Sequence, residues 1–214
     1  SETHDPGQRG HVIEKNLTLA GVLGAETFPF RFPLEVPESV AFDAVRAAGE
    51  TIGAMPFAVL NPGGSWPNKR WPPDRFGAVG RWLNRELSLR SVVTWGAGEQ
   101  ALAAAVVAES DGAAELAPAT RIGDLTAIVH EAELVVSGDT GPAHLAAALG
   151  TPVVGLYGPT DAIRNGPWSQ DDVFVSRFEK CACRYRRRCR IGQWCLADIK
   201  VADVTAAIAR RFAR

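Results

Sequence analysis

From residue 57 onward, short apolar segments alternate with segments of helical periodicity, and the connections between them are short. The strand-like segments are apolar throughout, which indicates strands that are buried on both faces. Regular alternation of such strands with helices is typical of a parallel sheet with helices packed on either side. The sequence therefore predicts an α/β fold class, with a Rossmann-like parallel sheet and helices on both faces.

Two sequence patterns distinguish the predicted strands from the predicted helices. Strands are predicted from apolar and β-branched runs, and helices from apolar residues spaced three and four apart. The predicted strands are Phe57–Leu60, Ser91–Trp95, a weak Ala114–Leu116, Leu134–Ser137 and Thr151–Leu156. The predicted helices of this part are Asp74–Glu86, Glu99–Ala108, Asp124–Glu131, Pro142–Leu149 and an amphipathic Val201–Arg214.

The first 54 residues have a different character. The segment His11–Gly24 carries apolar residues at helical spacing and ends on a glycine suited to a helix C-cap. The prolines of Phe28–Pro37 predict an extended connector, and Glu38–Gly49 has helical periodicity again. We expect residues 1–54 to form the end of an N-terminal domain and a linker, followed by a Rossmann-like domain over residues 55–214.

The charge balance narrows the classes of partner. With 23 Lys and Arg against 24 Asp and Glu, the net charge is −1, so no global field attracts nucleic acid or a membrane surface. Glycines and prolines interrupt every apolar run before it approaches the roughly 18 to 20 residues that a membrane span needs. A secretory leader is not recognisable at the start. We expect a cytoplasmic protein that does not bind nucleic acid.

The stretch SGDTGPAHLAAALGTP, residues 137–152, places polar residues where a predicted strand passes into a helix. In parallel sheets of this kind, ligands bind outside the carboxyl ends of the strands. Gly141 permits close approach of the backbone, and Pro142 suits the first helical turn. The free amides and the dipole at a helix N-terminus favour a phosphate, to which Thr140 adds a hydroxyl.

The acid in this stretch suggests a second kind of ligand group. Asp139 would repel a phosphate, so its carboxylate is better suited to accept hydrogen bonds from a polyol. Together the two features suggest a sugar phosphate. In the alternative interpretation, Asp139 or Thr140 only N-caps the helix, and His144 is a structural histidine instead of a catalytic one.

A second loop, NPGGSWPNKRWP over residues 61–72, also follows a predicted strand directly. Gly63 and Gly64 permit close backbone approach, and Ser65 and Lys69 are suited to phosphate oxygens. The loop lacks the GxxxxGK[ST] spacing of a P-loop. The alternative is an ordinary surface loop with a solvated lysine.

Together these two stretches resemble the family of ADP-heptose:lipopolysaccharide heptosyltransferases, which are inverting glycosyltransferases of the two-domain GT-B fold. The resemblance covers roughly residue 54 to the C-terminus, and NPGGSWPNKRWP and SGDTGPAHLAAALGTPVVGLYGPT are its most specific parts. His11–Gly24 is also similar to the segment that closes the family's N-terminal domain. The resemblance implies that this chain is the C-terminal half of such an enzyme, so that residues 55–214 form the donor-binding domain.

The family implies a role for each matching position. The implied donor-binding residues are Ser65, Lys69, Glu99, Asp139, Thr140, Gly141 and His144. Ser65, Lys69 and the backbone at 140–141 would hold the donor diphosphate, while Asp139 would bind hydroxyls of the transferred sugar with His144 nearby. Glu99, in WGAGEQ, would contact the nucleotide ribose. Alternatively, the carboxylate of Glu99 only favours the first turn of a helix through the helix dipole.

The implied function is transfer of heptose from ADP-heptose to an anionic, lipid-linked lipopolysaccharide core acceptor, with inversion and without a metal or other cofactor. None of the acids can be assigned as the general base, which the family places in the N-terminal domain, so we expect this chain alone to be inactive. The alternative is a non-catalytic nucleotide- or zinc-binding module on the same fold. Because the implied acceptor is lipid-linked, the expected cytoplasmic location includes the inner face of the inner membrane.

Four cysteines, Cys181, Cys183, Cys189 and Cys195, form the pattern C-x-C-x5-C-x5-C. This pattern is compatible with a zinc site, although the spacing is not the usual paired C-x2-C. The segment from Cys195 to Ile199 is also similar to part of the family's pattern, which implies no metal. Disulfides are disfavoured in a cytoplasmic chain.

Arginines crowd between these cysteines; they are Arg184, Arg186, Arg187, Arg188 and Arg190. Such a run is most often a solvated loop. The functional alternative is contact with the phosphates of an anionic lipid acceptor, or peripheral contact with a membrane surface.

Overall fold

The computed structural model describes residues 10–27, 30–50, 55–189 and 195–213. Its centre is a parallel sheet whose strands are β1 (Phe57–Asn61), β2 (Arg90–Val93), β3 (Ala114–Leu116), β4 (Leu134–Gly138), β5 (Val153–Tyr157) and β6 (Val173–Ser176). The strand order is β3-β2-β1-β4-β5-β6, and all neighbouring strands are parallel. From β1, the strands β2 and β3 are added on one side and β4, β5 and β6 on the other, so the strand order reverses between β1 and β4. In such folds, ligands bind at this switch point.

Apart from one short helix at Ala162–Asn165, which was not predicted, the helices follow the sequence predictions to within about two residues at most ends. They are α1 (Val12–Val22), α2 (Val40–Glu50), α3 (Pro73–Leu87), α4 (Gln100–Ala108), α5 (Ile122–His130), α6 (Gly141–Leu149), α7 (Ala162–Asn165) and α8 (Val201–Phe212). Short 3-10 turns occur at Pro67–Lys69, Phe178–Lys180 and Cys195–Asp198. The predicted end of the last helix, at Arg214, lies outside the described residues.

Helices cover both faces of the sheet, as predicted. On one face, α3, α4 and α8 pack over a core that includes Phe76, Val106 and Ile208. On the other face, α2, α5 and α6 pack over a core that includes Val45 and Ile128. Because both faces are covered, the residues of β1, β2, β4 and β5 are all buried.

One strand was not predicted from the sequence. In β6, the buried residues alternate with Phe174, which is 43% exposed, and the strand has a neighbour only on its β5 side. The segment therefore has only two well-buried positions, Val173 and Val175. Four residues are too short a window to distinguish such an alternation from a loop.

The predicted linker helix packs on the Rossmann-like domain. Val45 of α2 is buried among the residues that cover the sheet, and the buried guanidinium of Arg90 donates to the Val45 carbonyl at 2.7 Å. The predicted boundary between residues 54 and 55 lies beside residues 51–54, which are outside the described ranges. Residues 30–37 of the predicted connector have no regular structure, as expected, and the connector's first residues, 28 and 29, are not described.

The N-terminus of α1 contacts the same domain. His11 caps the helix by accepting from the Ile13 amide, and its other ring nitrogen lies 3.0 Å from the Gly166 carbonyl. The imidazole also meets the Trp168 ring edge-on at 5.1 Å. The helix ends at Val22 with Leu23 as its C-cap residue, and Gly24 follows the cap at φ +85°, close to the predicted end. Among the helices of the described ranges, none has the length and apolar character that a membrane span requires.

Candidate active site

The loops that follow β1, β2 and β4 border one cleft of about 390 Å³ at the carboxyl edge of the sheet. The predicted site residues that line it are Ser65, Glu99, Asp139, Thr140 and Gly141. The other two, Lys69 and His144, bond to the carboxylate of Asp139. The structure thus brings together all seven positions that the sequence singled out.

The carboxylate of Asp139 lies at the centre of this cluster. Its Oδ2 accepts from Lys69 Nζ at 2.6 Å, and its Oδ1 lies 3.2 Å from His144 Nε2. The side chain of Asp139 is only 6% exposed, whereas that of His144 is 46% exposed. Asp139 therefore joins Lys69, from the loop of residues 61–72, to a histidine on α6.

Burial disfavours the charged form of Asp139, but the hydrogen bonds from His144 and Lys69 outweigh it and hold the pKa well below its usual range. The hydroxyl of Thr160 also faces this carboxylate and lowers its pKa, although its contact falls outside ordinary hydrogen-bond geometry. A buried aspartate held in its ionised form is a weak proton acceptor and a good hydrogen-bond acceptor.

The N-terminus of α6 carries no side-chain cap. Thr140 is the N-cap residue, but its side chain makes no capping bond and instead contacts Ser137 Oγ at 2.8 Å. Asp139 is engaged with Lys69, so the interpretation that either residue merely caps the helix is wrong. A Cβ built on Gly141 would meet nothing within 4 Å, so the first turn of α6 opens onto free space in the cleft. This leaves the helix dipole available to an anion.

A buried amide that sequence reasoning gave no role holds the strand ends together. Asn61 Nδ2 donates to Ser137 Oγ and to Thr140 Oγ1, both at 3.1 Å. Its Oδ1 accepts from Thr94 Oγ1 at 3.3 Å. Asn61 thereby links the ends of β1, β2 and β4 directly under the cleft. The available signal was a polar residue that closes an otherwise apolar strand.

Glu99 connects two loops of the site. Its Oε1 accepts from the Gly64 amide at 2.8 Å and its Oε2 from the Gly96 amide at 3.2 Å, while Arg70 lies 3.4 Å away. A Cβ on Gly63 would overlap the Glu99 carboxylate, so this close approach requires glycine at that position. Glu99 is the N-cap residue of α4 but makes no side-chain cap, which excludes a capping bond as its role. Its contact with a ribose stays a prediction.

The loop of residues 61–72 is fixed against β4. A Cβ on Gly138 would lie 2.8 Å from the Lys69 carbonyl, so the loop passes directly over this glycine. Lys69 Nζ also lies 4.4 Å from the centroid of the Trp66 ring, a cation–π distance. Ser65 is exposed at the cleft wall, where its hydroxyl is accessible to a ligand.

The far end of the cleft is more apolar. Trp95, Ile122 and Leu125 line it, and Ile122 is 74% exposed. The indole of Trp95 is oriented by a hydrogen bond from its Nε1 to the Ala117 carbonyl at 2.9 Å. The cleft therefore has a polar end at Asp139 and an apolar end suited to a flat ring.

The cysteines are paired differently from the expectation that disulfides are disfavoured. Cys181 and Cys195 are joined by a disulfide, and their Cα atoms lie 5.4 Å apart. Cys183 Sγ lies 3.3 Å from Cys189 Sγ. Within the described residues, no group of three or more Cys, His, Asp and Glu is arranged to hold a metal ion. All four cysteines line one small pocket, but two of them are paired by the disulfide.

A family model described as glycosyltransferase family 9 (heptosyltransferase) matches residues 1–195. The chain belongs to glycosyltransferase family 9. It is similar to lipopolysaccharide heptosyltransferase 3 of Escherichia coli, with 28% identity over 212 residues that cover 95% of this chain and 61% of that protein. It is also similar to lipopolysaccharide heptosyltransferase 1 of Pseudomonas aeruginosa, with 32% identity over 163 residues that cover 74% of this chain and 44% of that protein.

Solved structures of glycosyltransferase family 9 confirm the predicted fold class. A family 9 glycosyl transferase from Veillonella parvula superimposes with a TM-score of 0.78 at 21% identity, over 100% of this chain and 63% of that one. The E. coli heptosyltransferase WaaC with ADP gives a TM-score of 0.67 at 21% identity, over 99% of this chain and 60% of that one. At such identities the likeness shows the fold alone. The chain spans 61% of the length of the heptosyltransferase 3 that it matches.

Proposed function

We propose that this chain supplies the donor site of an inverting glycosyltransferase that transfers heptose from ADP-heptose to a lipopolysaccharide core acceptor. The observation that carries the proposal is the position of Asp139, held ionised by Lys69 and His144 beside the uncapped N-terminus of α6. This arrangement offers a hydrogen-bond acceptor for sugar hydroxyls next to a cation and a helix dipole for phosphates. The curated relatives that match this chain are named as lipopolysaccharide heptosyltransferases, which supports heptose and a lipopolysaccharide acceptor.

The donor diphosphate is proposed to lie between Lys69 and the first turn of α6. Lys69 reaches this position from the loop of residues 61–72, and the α6 amides open onto the cleft from the other side. When the bond between the sugar and the diphosphate breaks, negative charge develops on the departing phosphate oxygen. A fixed cation and a helix N-terminus stabilise that charge where it forms, so the scheme does not require a metal.

The nucleoside is proposed to occupy the apolar end of the cleft. Trp95, Ile122 and Leu125 provide a surface on which a purine ring can pack. The cleft joins this surface to Asp139 without interruption, which matches the extended shape of a nucleotide sugar. E. coli heptosyltransferase WaaC, a solved neighbour of this chain, has been solved with ADP and with ADP-2-deoxy-2-fluoro heptose, which supports adenosine as the nucleoside.

The general base is proposed to come from another part of the protein. Within the described residues, the two carboxylates that line the cleft belong to Asp139 and Glu99, and both are engaged in internal hydrogen bonds. The depressed pKa of Asp139 makes it a poor base toward an acceptor hydroxyl. We therefore expect no transfer by this chain alone, and transfer only in a protein that supplies the missing carboxylate.

A cytoplasmic location at the inner face of the inner membrane is proposed from the lipid-linked nature of the acceptor. Membrane fractionation of the protein in cells that contain and lack the acceptor lipid tests it. Recovery in the membrane fraction only when the acceptor is present supports acceptor-directed association, whereas a distribution independent of the acceptor contradicts it.

Calorimetric titration with ADP and ADP-heptose tests the donor site. Lys69→Ala is expected to weaken both ligands, and Asp139→Ala is expected to weaken ADP-heptose more than ADP because the sugar hydroxyls lose their acceptor. Arg85→Ala is the matched control, since Arg85 is exposed and its ion-pair partner among the described residues is the neighbouring Glu86. A folded wild-type chain without affinity for ADP would overturn the proposal, as would equal affinities in the Lys69 variant and the control.

A further inference from the structure

A group of exposed arginines lies outside the donor site. We define the arginine loop as residues 184–188, with the sequence RYRRR, and all five residues are exposed. Arg184 is committed locally, because its guanidinium pairs with Glu179 at 3.0 Å and donates to the Phe178 carbonyl. Arg186, Arg187 and Arg188 remain as the arginines of the loop available to a partner.

The arginine loop is held in a defined shape. The disulfide between Cys181 and Cys195 closes the segment that contains it. The Tyr185 amide donates to the Pro159 carbonyl at 2.7 Å, which ties the loop to the chain just after β5. Tyr185 itself has φ +56°, a left-handed conformation that a bulky side chain adopts only where its surroundings impose it. The guanidinium groups are therefore presented by a preorganised backbone.

Two contacts connect the arginine loop to the donor site. Asn68 Nδ2 donates to the Arg186 carbonyl at 2.7 Å, and Asn68 immediately precedes Lys69 in the 3-10 turn. The guanidinium carbon of Arg187 lies 6.0 Å from the centroid of Trp66, the same ring that Lys69 Nζ approaches to 4.4 Å. The arginine loop therefore lies against the turn that carries Lys69, whose ammonium group bonds to Asp139.

The charges of this loop favour an anionic partner. In the part of the chain that the structure describes, no carboxylate lies within 4.0 Å of the guanidinium groups of Arg186, Arg187 and Arg188. Three adjacent cations in a fixed loop repel one another and Lys69 nearby, and an anion relieves that repulsion. The guanidinium fork binds phosphate oxygens through two parallel hydrogen bonds.

We propose that Arg186, Arg187 and Arg188 bind phosphate groups of the saccharide acceptor beside the bound donor. The inference rests on the proposed function, because it takes the Asp139 end of the cleft as the position of the transferred sugar. The donor's own phosphates have Lys69 and α6, so a second set of cations just beyond Trp66 fits a second phosphorylated molecule.

The test measures binding of the deacylated, phosphorylated core saccharide of lipopolysaccharide, before and after phosphatase treatment. The test variant replaces Arg186, Arg187 and Arg188 by glutamine. The control replaces three other exposed arginines by glutamine, Arg46, Arg85 and Arg210, none of which lines the cleft. The affinity for ADP and for phosphatidylglycerol vesicles is measured in parallel on each protein.

We expect the test variant to bind the phosphorylated saccharide at least about tenfold more weakly than the control, and phosphatase treatment to remove most of this difference. Equal affinities in the test and control variants, or no effect of phosphatase, would overturn the inference. A folded wild-type chain that does not bind the saccharide would do so too. Loss of vesicle binding alone would assign the loop to a membrane surface instead. Failure of the proposed function is distinct, since it appears as absent ADP binding in the wild type.

Discussion

The carboxylate of Asp139 accepts a hydrogen bond from Lys69 Nζ at 2.6 Å and lies 3.2 Å from His144 Nε2, so it joins the loop of residues 61–72 to α6. In the absence of a ligand, this ion pair satisfies a buried negative charge and holds Lys69 close to the place proposed for the donor diphosphate. Binding of a nucleotide sugar would then divide the lysine between a carboxylate and a phosphate. The same pair therefore contributes to both stability and binding.

The first prediction concerns stability at acidic pH. The pKa of Asp139 is lower in the folded chain than in the unfolded one, so its charge stabilises the fold above the unfolded pKa, about 3.9. That contribution is lost as the pH falls below about 4 toward the folded pKa. Urea unfolding of the wild type and of Asp139→Asn between about pH 6 and 3 measures the effect. The difference in free energy of unfolding between the two proteins is expected to shrink at the acidic end, and a constant difference would contradict the prediction.

The second prediction separates two roles of Glu99. Because its carboxylate accepts from the amides of Gly64 and Gly96, Glu99→Gln is expected to loosen both loops and to weaken pyrophosphate as well as ADP. Titration with the two ligands checks this, with Glu109→Gln as the control because that side chain lies outside the cleft. Weaker ADP binding with unchanged pyrophosphate binding would instead assign Glu99 to the ribose alone.

The third prediction concerns the buried amide of Asn61. Asn61→Ala removes the acceptor of Thr94 Oγ1, whereas Ser137 and Thr140 keep their contact with each other. An unpaired buried polar group costs about 1–3 kcal/mol. Urea unfolding is expected to show a loss of that size, together with weaker ADP binding as the strand ends shift. Asn84→Ala, on the exposed side of α3, is the control. A loss no greater than in the control would mean that the amide network does not hold the strand ends.

The fourth prediction concerns the disulfide. Cys181 and Cys195 are 14 residues apart, and closing a loop of this length stabilises a fold by about 3 kcal/mol in the chain-entropy description. Cys195→Ser is expected to lower the free energy of unfolding by about that amount under oxidising conditions. With a thiol reductant present, the variant and the wild type are expected to converge. Equal stabilities without reductant would show that the bond is not formed in solution.

The sequence was most informative about the strands buried on both faces. Five of the six strands and the main helices were predicted close to their observed bounds, because uninterrupted apolar runs and helical spacing are local signals. The strand β6 was not predicted because it lies at the edge of the sheet, where only Val173 and Val175 of its four residues are well buried. Two buried positions are too few to give an apolar run. The capping interpretation of Thr140 was wrong because its hydroxyl contacts Ser137 and Asn61, which approach it only in the folded sheet.

The sequence by itself determined the α/β fold class, the two loops of the site and the seven residues that meet there. Residue types and positions after strands indicated Ser65, Lys69 and the 137–144 stretch, whereas Glu99 was indicated only by the resemblance to the family. Only the tertiary structure decided the pairing of Asp139 with Lys69, the amide contacts of Glu99, the role of Asn61 and the disulfide. These relationships join residues that are distant along the chain and are brought together when parallel strands align their carboxyl ends at one edge. No local pattern specifies how these side chains pair with one another, because burial and hydrogen-bond geometry select the partners.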